Sequence, residues 1–261
     1  MNKGMPILKI EKMSKKYRNK GRRQEVIREI SLEIKRGEIL ALVGESGSGK
    51  TTIARTIMRL QRPSSGRILW KGKDIFSPLF RRLPYHKWVQ TIFQNPFNSL
   101  TPHYRGYMLI GEPLLVNRLA TKSELQESAC RLLEVVGLPE ETLNRLPYQL
   151  SGGQCQRLAL ARALALNPEL LIADEALSSL DLIAQQELLQ LLARLQRSRS
   201  ISILFITHNL SLLPNFAHRI AVLHQGKIEE VTETRKFFRA PASPYSQALL
   251  NAYLTKSVNI N

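Results

Sequence analysis

The sequence predicts an α/β fold with an inserted helical segment, and three features support this assignment. The apolar run at residues 39–43 leads through a glycine-rich turn into the helical run at residues 52–60. A second apolar strand begins at Glu169 and ends in two carboxylates, Asp174 and Glu175. Between about residues 108 and 164, apolar residues recur at helical spacing, which predicts the inserted lobe.

The turn at residues 44–51 has the spacing G-x-x-x-x-G-K-T, between the strand and the helix that this pattern requires. Its glycines let successive backbone N–H groups point at phosphate oxygens, and the start of the helix adds further donors. Lys50 is expected to reach the β- and γ-phosphates, and the Thr51 hydroxyl to be a Mg²⁺ ligand. A plain linking turn is the alternative, but the eight-residue match argues against it. The turn therefore predicts binding of a nucleoside triphosphate.

The composition is typical of a globular protein, except for a large positive net charge. Its 261 residues include 38 Lys and Arg against 21 Asp and Glu, a net charge of +17. Such an excess favours contact with polyanions, either nucleic acid or an acidic membrane surface. The longest apolar runs have strand length, so we expect that another chain crosses any membrane involved. With two cysteines, Cys130 and Cys155, and no signal-like N-terminus, a reducing cytosolic setting is expected.

The remaining strands follow from alternating or apolar runs. They are predicted at residues 7–10, 30–34, 67–70, 89–93 and 201–207, with a hairpin of residues 219–223 and 227–230. The basic stretch 15–23 is predicted to be a turn or loop. Tyr17, at its start, would either stack on the adenine of a nucleotide or pack at a strand end, and its position does not separate the two. A proline-punctuated turn precedes a last helix that runs through Leu250.

Polar residues stand at the ends of several predicted strands. Asp174 is expected to hold Mg²⁺ directly or through water, and Glu175 to polarise an attacking water as general base. The alternative, a charged strand end facing solvent, fits less well beside a phosphate-binding turn. Gln94, taken alone, is interpreted as a loop residue. A lone histidine is usually structural, but the strand-end position of His208 favours a functional role.

A second glycine-containing helix start lies about a hundred residues after the first. Ser151 is suited to be the N-cap, and Gly152 and Gly153 expose backbone N–H groups at the start of the run 156–164. In isolation this is a plain helix cap. Beside the first turn, we interpret it as a second anion-binding site.

The order of these motifs resembles the nucleotide-binding subunit of ATP-binding cassette (ABC) transporters over nearly the whole chain. Six segments match the family's P-loop, Q-loop, signature, Walker B, D-loop and switch histidine: residues 44–51, Gln94, residues 150–154, 170–175, 178–181 and His208. The resemblance implies a P-loop NTPase core with a β-rich nucleotide-binding lobe and an inserted α-helical subdomain. It implies a single ABC ATPase domain over 1–261, with the core lobe at 7–94 and 165–232, the helical signature subdomain at about 95–164 and a C-terminal extension at 233–261.

The resemblance also implies a site for ATP and Mg²⁺ shared between two chains. Glu175, His208 and Lys50 would be catalytic. The nucleotide contacts would be Tyr17, Gly44, Glu45, Ser46, Gly47, Ser48, Gly49, Lys50, Thr51, Thr52, Gln94, Ser151, Gly152, Gly153 and Gln154. The metal ligands would be Thr51, Gln94 and Asp174. We also expect that alkylation of Cys155, just after the signature, inhibits the ATPase, because an adduct would crowd the helix start.

Three segments, 94–102, 111–114 and 241–245, are similar to the importer branch for oligopeptides, dipeptides and nickel. This implies a peripheral subunit on the cytoplasmic face of the cell membrane. Its partners would be a second, different ATPase subunit, two permease subunits and, indirectly, an extracytoplasmic solute-binding protein. Peptide-type members often carry a C-terminal cysteine cluster, which this sequence lacks, so nickel or metal-chelate cargo is weakly favoured over peptides. The alternative function is a non-transport ABC-type ATPase that acts on nucleic acid or ribosomes.

Overall fold

A computed structural model of the chain describes residues 6–19 and 22–258. The chain divides into two compact units. The first takes the residues up to Leu83 and from Arg199 onwards, and the second takes Pro84–Ser198.

The first unit begins with long antiparallel strands and the helix that follows the glycine-rich turn. In chain order its elements are β1 (Pro6–Asn19), β2 (Arg22–Lys35), β3 (Ile39–Val43), α1 (Lys50–Ile57), β4 (Ser65–Trp70) and β5 (Lys73–Asp74). An antiparallel sheet forms in the order β2-β1-β4-β5. The strands predicted at residues 7–10, 30–34 and 67–70 are therefore confirmed.

The basic stretch 15–23 is a correction to the sequence prediction. β1 continues to Asn19 and pairs with β2, which begins at Arg22, with Tyr17 opposite Gln24 and Lys16 opposite Glu25. Residues 20 and 21 of the predicted turn lie outside the described residues. The neighbouring strand supplies the backbone hydrogen bonds, and Lys16 Nζ lies 3.3 Å from Glu25 Oε1. Positive charge on an exposed hairpin therefore did not prevent strand formation, because these side chains extend towards solvent.

The second unit contains two parallel strands and five α-helices, of which the first is a single short turn. Its elements are α2 (Tyr85–Trp88), β6 (Val89–Phe93), α3 (Gly106–Val116), α4 (Leu125–Val136), α5 (Gly152–Leu164), β7 (Leu170–Asp174) and α6 (Leu182–Arg199). α3, α4 and α5 confirm the predicted helical lobe. In α4, the residues Leu125, Ala129, Leu133 and Val136 recur at helical spacing and are buried, and the helix ends at Gly137 with φ +67°.

The first unit continues with five further elements. They are β8 (Ser202–Thr207), β9 (Arg219–His224), β10 (Lys227–Glu233), α7 (Thr234–Arg239) and α8 (Pro244–Val258). The predicted hairpin is confirmed, since β9 and β10 pair antiparallel around Gln225 and Gly226, both with positive φ. The last helix extends beyond the predicted end at Leu250.

β3 is the central strand of this part of the first unit. It runs parallel to β8 on one side and to β9 on the other, and all five of its residues are buried. A strand covered on both faces reads as a continuous apolar run, which explains why residues 39–43 show no alternation. Within the part of the chain that is described, no helix is both long enough and apolar enough to cross a membrane.

Candidate functional site

The glycine-rich turn joins the buried end of β3 to the first residue of α1. Its three glycines have positive φ: +155° at Gly44, +81° at Gly47 and +112° at Gly49. A Cβ atom on Gly44 would lie 2.1 Å from the carbonyl oxygen of Leu223, so any side chain would collide with backbone. Both the backbone conformation and the close approach therefore require glycine at Gly44.

The polar groups of this turn fit a phosphate ligand. Lys50 is only 5% exposed, and its Nζ donates hydrogen bonds of 2.8 Å to the carbonyl oxygens of Gly44 and Glu45. The hydroxyl of Ser48 is buried without a hydrogen-bond partner. α1 has no acidic residue in its first turn, so its N-terminal dipole end is not neutralised locally. An ammonium, an orphaned hydroxyl and a helix start converge on one loop, an arrangement suited to an anion.

His208 emerges beside this turn. β3 and β8 are parallel neighbours, with Val43 directly paired to Thr207. Gly44 and His208 are the next residues on the two strands, so their backbones leave the sheet side by side. The His208 side chain is exposed. The structure therefore brings these two predicted site residues together.

Tyr17 is linked to α1 through Gln61. Its hydroxyl donates to Gln61 Oε1 at 2.6 Å, and Gln61 Nε2 donates to the carbonyl oxygen of Thr52 at 2.9 Å. The Lys15 ammonium lies 5.2 Å from the centre of the Tyr17 ring. The side chain is therefore held at its hydroxyl end. Because the residue is 37% exposed, part of the side chain remains accessible.

The second unit pairs Gln94 with the two carboxylates in the same manner. β6 and β7 are parallel neighbours, with Phe93 directly paired to Asp174. Gln94 and Glu175 are the residues that follow this pair. The Ser179 hydroxyl donates to the carbonyl oxygen of Gln94 at 3.1 Å, which ties the predicted D-loop to this strand end. Gln94 thus lies beside two motifs that follow it by about 80 residues in sequence.

The two carboxylates differ in environment. Asp174 is the last residue of β7 and only 7% exposed, whereas Glu175 is half-buried. Glu175 has φ +50°, an uncommon conformation for a residue with a side chain, and its carbonyl oxygen accepts from the backbone N–H and the hydroxyl of Ser178. The chain therefore turns sharply at Glu175, away from the line of the strand.

The second glycine motif is a formed helix cap. The Ser151 hydroxyl accepts from the Gln154 backbone N–H at 3.2 Å, and Gln154 Oε1 accepts from the Ser151 backbone N–H at 3.0 Å. Ser151 and Gly152 are exposed. The predicted N-cap is therefore confirmed, and it presents the start of α5 to solvent.

Gln156 was not predicted as part of the site. It is fully buried in α5, and its Nε2 donates to the carbonyl oxygen of Phe93 at 3.1 Å. This contact connects the helix that carries the signature to the strand end that carries Gln94. In the sequence, the only signal was a glutamine two residues after the signature; the fold shows that it is buried and identifies its partner.

Cys155 requires a correction. Its side chain is fully buried, and its thiol donates to the carbonyl oxygen of Pro147 at 3.3 Å. Burial raises the pKa of this thiol to about 11, so the reactive thiolate is scarce at neutral pH. The expected inhibition by alkylating reagents is therefore wrong for the folded protein, because the reagent meets neither an accessible nor an ionised sulfur.

The predicted site residues are divided between the two units. Residues 44–52, Tyr17 and His208 belong to the first unit. Gln94, residues 151–154, Asp174 and Glu175 belong to the second.

Comparison with known sequences identifies the family. Residues 27–178 match the family model described as ABC transporter. The chain is 38% identical over 248 residues to a putative peptide import ATP-binding protein of Brucella ovis, covering 95% of this chain and 78% of that protein. It is 42% identical over 225 residues to the oligopeptide transport ATP-binding protein AppF of Bacillus subtilis, covering 85% and 68% of the two chains.

Comparison with solved structures supports the same assignment. CbiO1 from Clostridium perfringens, part of the ABC transporter complex CbiONQ, superposes with a TM-score of 0.78 at 26% identity, covering 98% of this chain and 95% of that one. A dimeric ATP-binding cassette in a post-hydrolysis state, bound to ADP and Pi, gives a TM-score of 0.77 at 28% identity, covering 87% and 99%. The predicted fold class is thereby confirmed. The chain belongs to the ABC transporter family, as one of its ATP-binding proteins.

Proposed function

We propose that this chain is the ATP-hydrolysing subunit that powers a transporter importing peptides. The observation that carries the proposal is the loop at residues 44–51, with its buried Lys50, its orphaned Ser48 hydroxyl and a register that sets His208 beside Gly44. Peptides are favoured as cargo over nickel because the relatives from Brucella ovis and Bacillus subtilis are named for peptide and oligopeptide transport.

ATP would bind with its phosphates in the loop. Lys50 would turn from the carbonyl oxygens of Gly44 and Glu45 to the β- and γ-phosphates, which are stronger acceptors because they carry charge. The backbone N–H groups of the loop and of the α1 start would complete the cradle. The accessible part of Tyr17 would stack on the adenine.

The residues also fit a divalent cation. Thr51, Gln94 and Asp174 would hold Mg²⁺, which takes oxygen ligands and usually keeps several waters, so few protein ligands suffice. When bound, the cation neutralises charge on the β- and γ-phosphates.

Hydrolysis would depend on Glu175, whose carboxylate would orient a water and accept its proton. Gln94 and His208 would position this water and the γ-phosphate. The register pairs Phe93 with Asp174 and Val43 with Thr207, so each of the two residues is anchored to a rigid strand end. Such anchoring limits the reorganisation needed to reach the transition state.

A second ATP-binding chain would close each site. Ser151, Gly152 and Gly153 are presented at the start of α5, and we propose that they contact the γ-phosphate bound by the partner subunit, with Gln154 holding the cap. ATP would then join the two chains, and hydrolysis would separate them.

The assembly would be completed by membrane proteins. We propose a pair of different ATPase subunits at the cytoplasmic face of the membrane, two permease subunits and a solute-binding protein outside. The segment after Gln94 and the helical subdomain at about 95–164 would contact the permease and convert closure into alternating access. The net charge of +17 would favour the acidic inner leaflet.

The decisive experiment replaces the proposed base. Glu175→Gln should bind ATP with unchanged affinity but hydrolyse it about 10²- to 10⁴-fold more slowly, because the amide cannot accept the proton. Radiolabelled ATP hydrolysis and size-exclusion chromatography of the purified chain with its partner would measure both effects. The closed dimer should persist in ATP.

Two controls keep this test specific. Glu127→Gln alters an exposed glutamate of α4 and should leave turnover at the wild-type rate. Lys50→Ala should instead weaken ATP binding itself. Normal turnover by Glu175→Gln would refute the assignment of the base. The transport role would be refuted if the chain co-purified with nucleic acid, in a complex that salt dissociates, rather than with two membrane-spanning proteins.

A further inference from the structure

The turn between β9 and β10 packs closely against the phosphate-binding loop at residues 44–51. The Leu223 carbonyl oxygen occupies the space that a side chain on Gly44 would need, and the Gly226 backbone N–H donates to the Ser48 carbonyl oxygen at 3.2 Å. Gly226 is itself pressed against β2, since a Cβ atom there would lie 2.3 Å from the Val26 carbonyl oxygen. The turn between β9 and β10 therefore packs tightly between the phosphate-binding loop and β2.

Tyr245 covers this turn from the C-terminal helix. Its ring is stacked on the His224 ring, with centroids 3.8 Å apart and planes 10° from parallel. Its hydroxyl is buried and interacts with Glu45 of the phosphate-binding loop. Burial and then the Glu45 charge raise the pKa of the phenol, so the hydroxyl is a proton donor at neutral pH.

The segment that carries Tyr245 is fixed by its own contacts. The buried Glu230 of β10 accepts hydrogen bonds from the backbone N–H groups of Ala242 and Ser243 at 2.9 and 3.2 Å. The Ser243 hydroxyl accepts from the Ser246 backbone N–H at 3.0 Å and so caps α8. These contacts set the start of α8 against β10 and leave Tyr245 little freedom. α8 also contacts the short turn Leu210–Leu212, just after His208.

The negative charge of Glu45 would oppose the binding of ATP, and Tyr245 lies where it can reduce this repulsion. Its carboxylate belongs to the loop that would receive three or four negative charges from ATP, and like charges at short range oppose binding. A buried hydroxyl donor beside this carboxylate would hold it in one position and lower its effective charge.

We propose that Tyr245 is a positioning residue for nucleotide binding: its hydroxyl donates to the Glu45 carboxylate and holds that carboxylate in one position. Its ring meanwhile braces the β9–β10 turn through His224. The C-terminal segment thereby sets the ATP affinity of the loop, although it lies about 200 residues away in sequence. This inference rests on the nucleotide-binding role proposed above.

The test is a double-mutant cycle on the full chain, read as the Kd of a fluorescent ATP analogue and as KM and kcat. Tyr245→Phe keeps the stacked ring and removes the hydroxyl, so it should raise Kd and KM about 10-fold and leave kcat unchanged at saturation. In a Glu45→Gln background the same change should alter Kd by less than about 2-fold, because the charge to be held is gone. Tyr253→Phe removes a hydroxyl from the same helix and is the matched control.

Each outcome decides the matter. An unchanged Kd in Tyr245→Phe, or an equal effect with and without the Glu45 charge, would overturn the inference. So would a lower melting temperature of nucleotide-free Tyr245→Phe with an undiminished ATP-induced increase, which would assign a purely structural role. If Lys50→Ala abolished ATP binding but Tyr245→Phe left it unchanged, the role of Tyr245 would be refuted and the proposed function would stand. A wild-type chain that binds no ATP would instead remove the proposed function.

Discussion

Gly44→Ala is the most stringent test of the phosphate-binding loop, because the structure predicts the size of its effect. Two separate costs arise at this position. The residue has φ +155°, and the new methyl carbon would lie 2.1 Å from the Leu223 carbonyl oxygen and 3.0 Å from the Ser48 hydroxyl oxygen. The first obstacle is backbone in the middle of the packed turn at β9, so no side-chain rotation relieves it.

The magnitude follows from adding the two costs. Overpacking of a well-packed interior costs about 1–3 kcal/mol. A side chain held at an unfavourable positive φ costs about 1–3 kcal/mol more. We therefore expect Gly44→Ala to lower the free energy of unfolding by about 2–6 kcal/mol, a large fraction of the about 5–15 kcal/mol typical of folded proteins.

Gly47→Ala is the matched control within the same loop. Its φ is +81°, but a Cβ atom there would have nothing within 4 Å, so only the conformational cost of about 1–2 kcal/mol applies. Urea and thermal unfolding of the nucleotide-free proteins would measure the loss of stability in both variants. Each kcal/mol should lower the Tm by about 2–4 °C. If Gly44→Ala proved no less stable than Gly47→Ala, the close approach of Leu223 to the loop would be refuted.

Three further predictions concern Cys155 and Ser151 of the signature region. Native protein treated with iodoacetamide at pH 7.5 should be labelled at Cys130, which is half-buried, well before Cys155, whose pKa is raised to about 11 by burial; equal rates by mass spectrometry would contradict the buried position. Because the raised pKa keeps Cys155 protonated in the folded state, its contribution to stability should be lost as the pH rises from about 9 towards 11. Ser151→Ala removes the cap of α5 and should cost about 1 kcal/mol in thermal unfolding, whereas Ser151→Asp, which restores an acceptor, should recover this stability. Failure of the aspartate to recover it would mean that the cap does not stabilise the helix.

Patterns that act locally were readable from the sequence. The loop at residues 44–51 needs glycine at set positions and a helix immediately after it, so eight consecutive residues suffice to identify it. The helical spacing in α4 and the N-cap at Ser151 are likewise short-range. The strand at residues 15–19 was missed because Lys16, Tyr17 and Arg18 are exposed, and charge on exposed side chains carries no information about backbone pairing.

Which strand ends meet was decided by the tertiary structure. Val43 pairs with Thr207 and Phe93 with Asp174, and these registers bring His208 to Gly44 and Gln94 to Glu175. Partners separated by 80 or more residues leave no local trace, because strand pairing depends on packing and hydrogen bonds made only after the chain folds. The same holds for Cys155, whose position after the signature suggested an accessible thiol until the fold buried it. It holds for Tyr245, which lies beside Glu45 although about 200 residues separate them, while the preceding segment is hydrogen-bonded to Glu230 of β10.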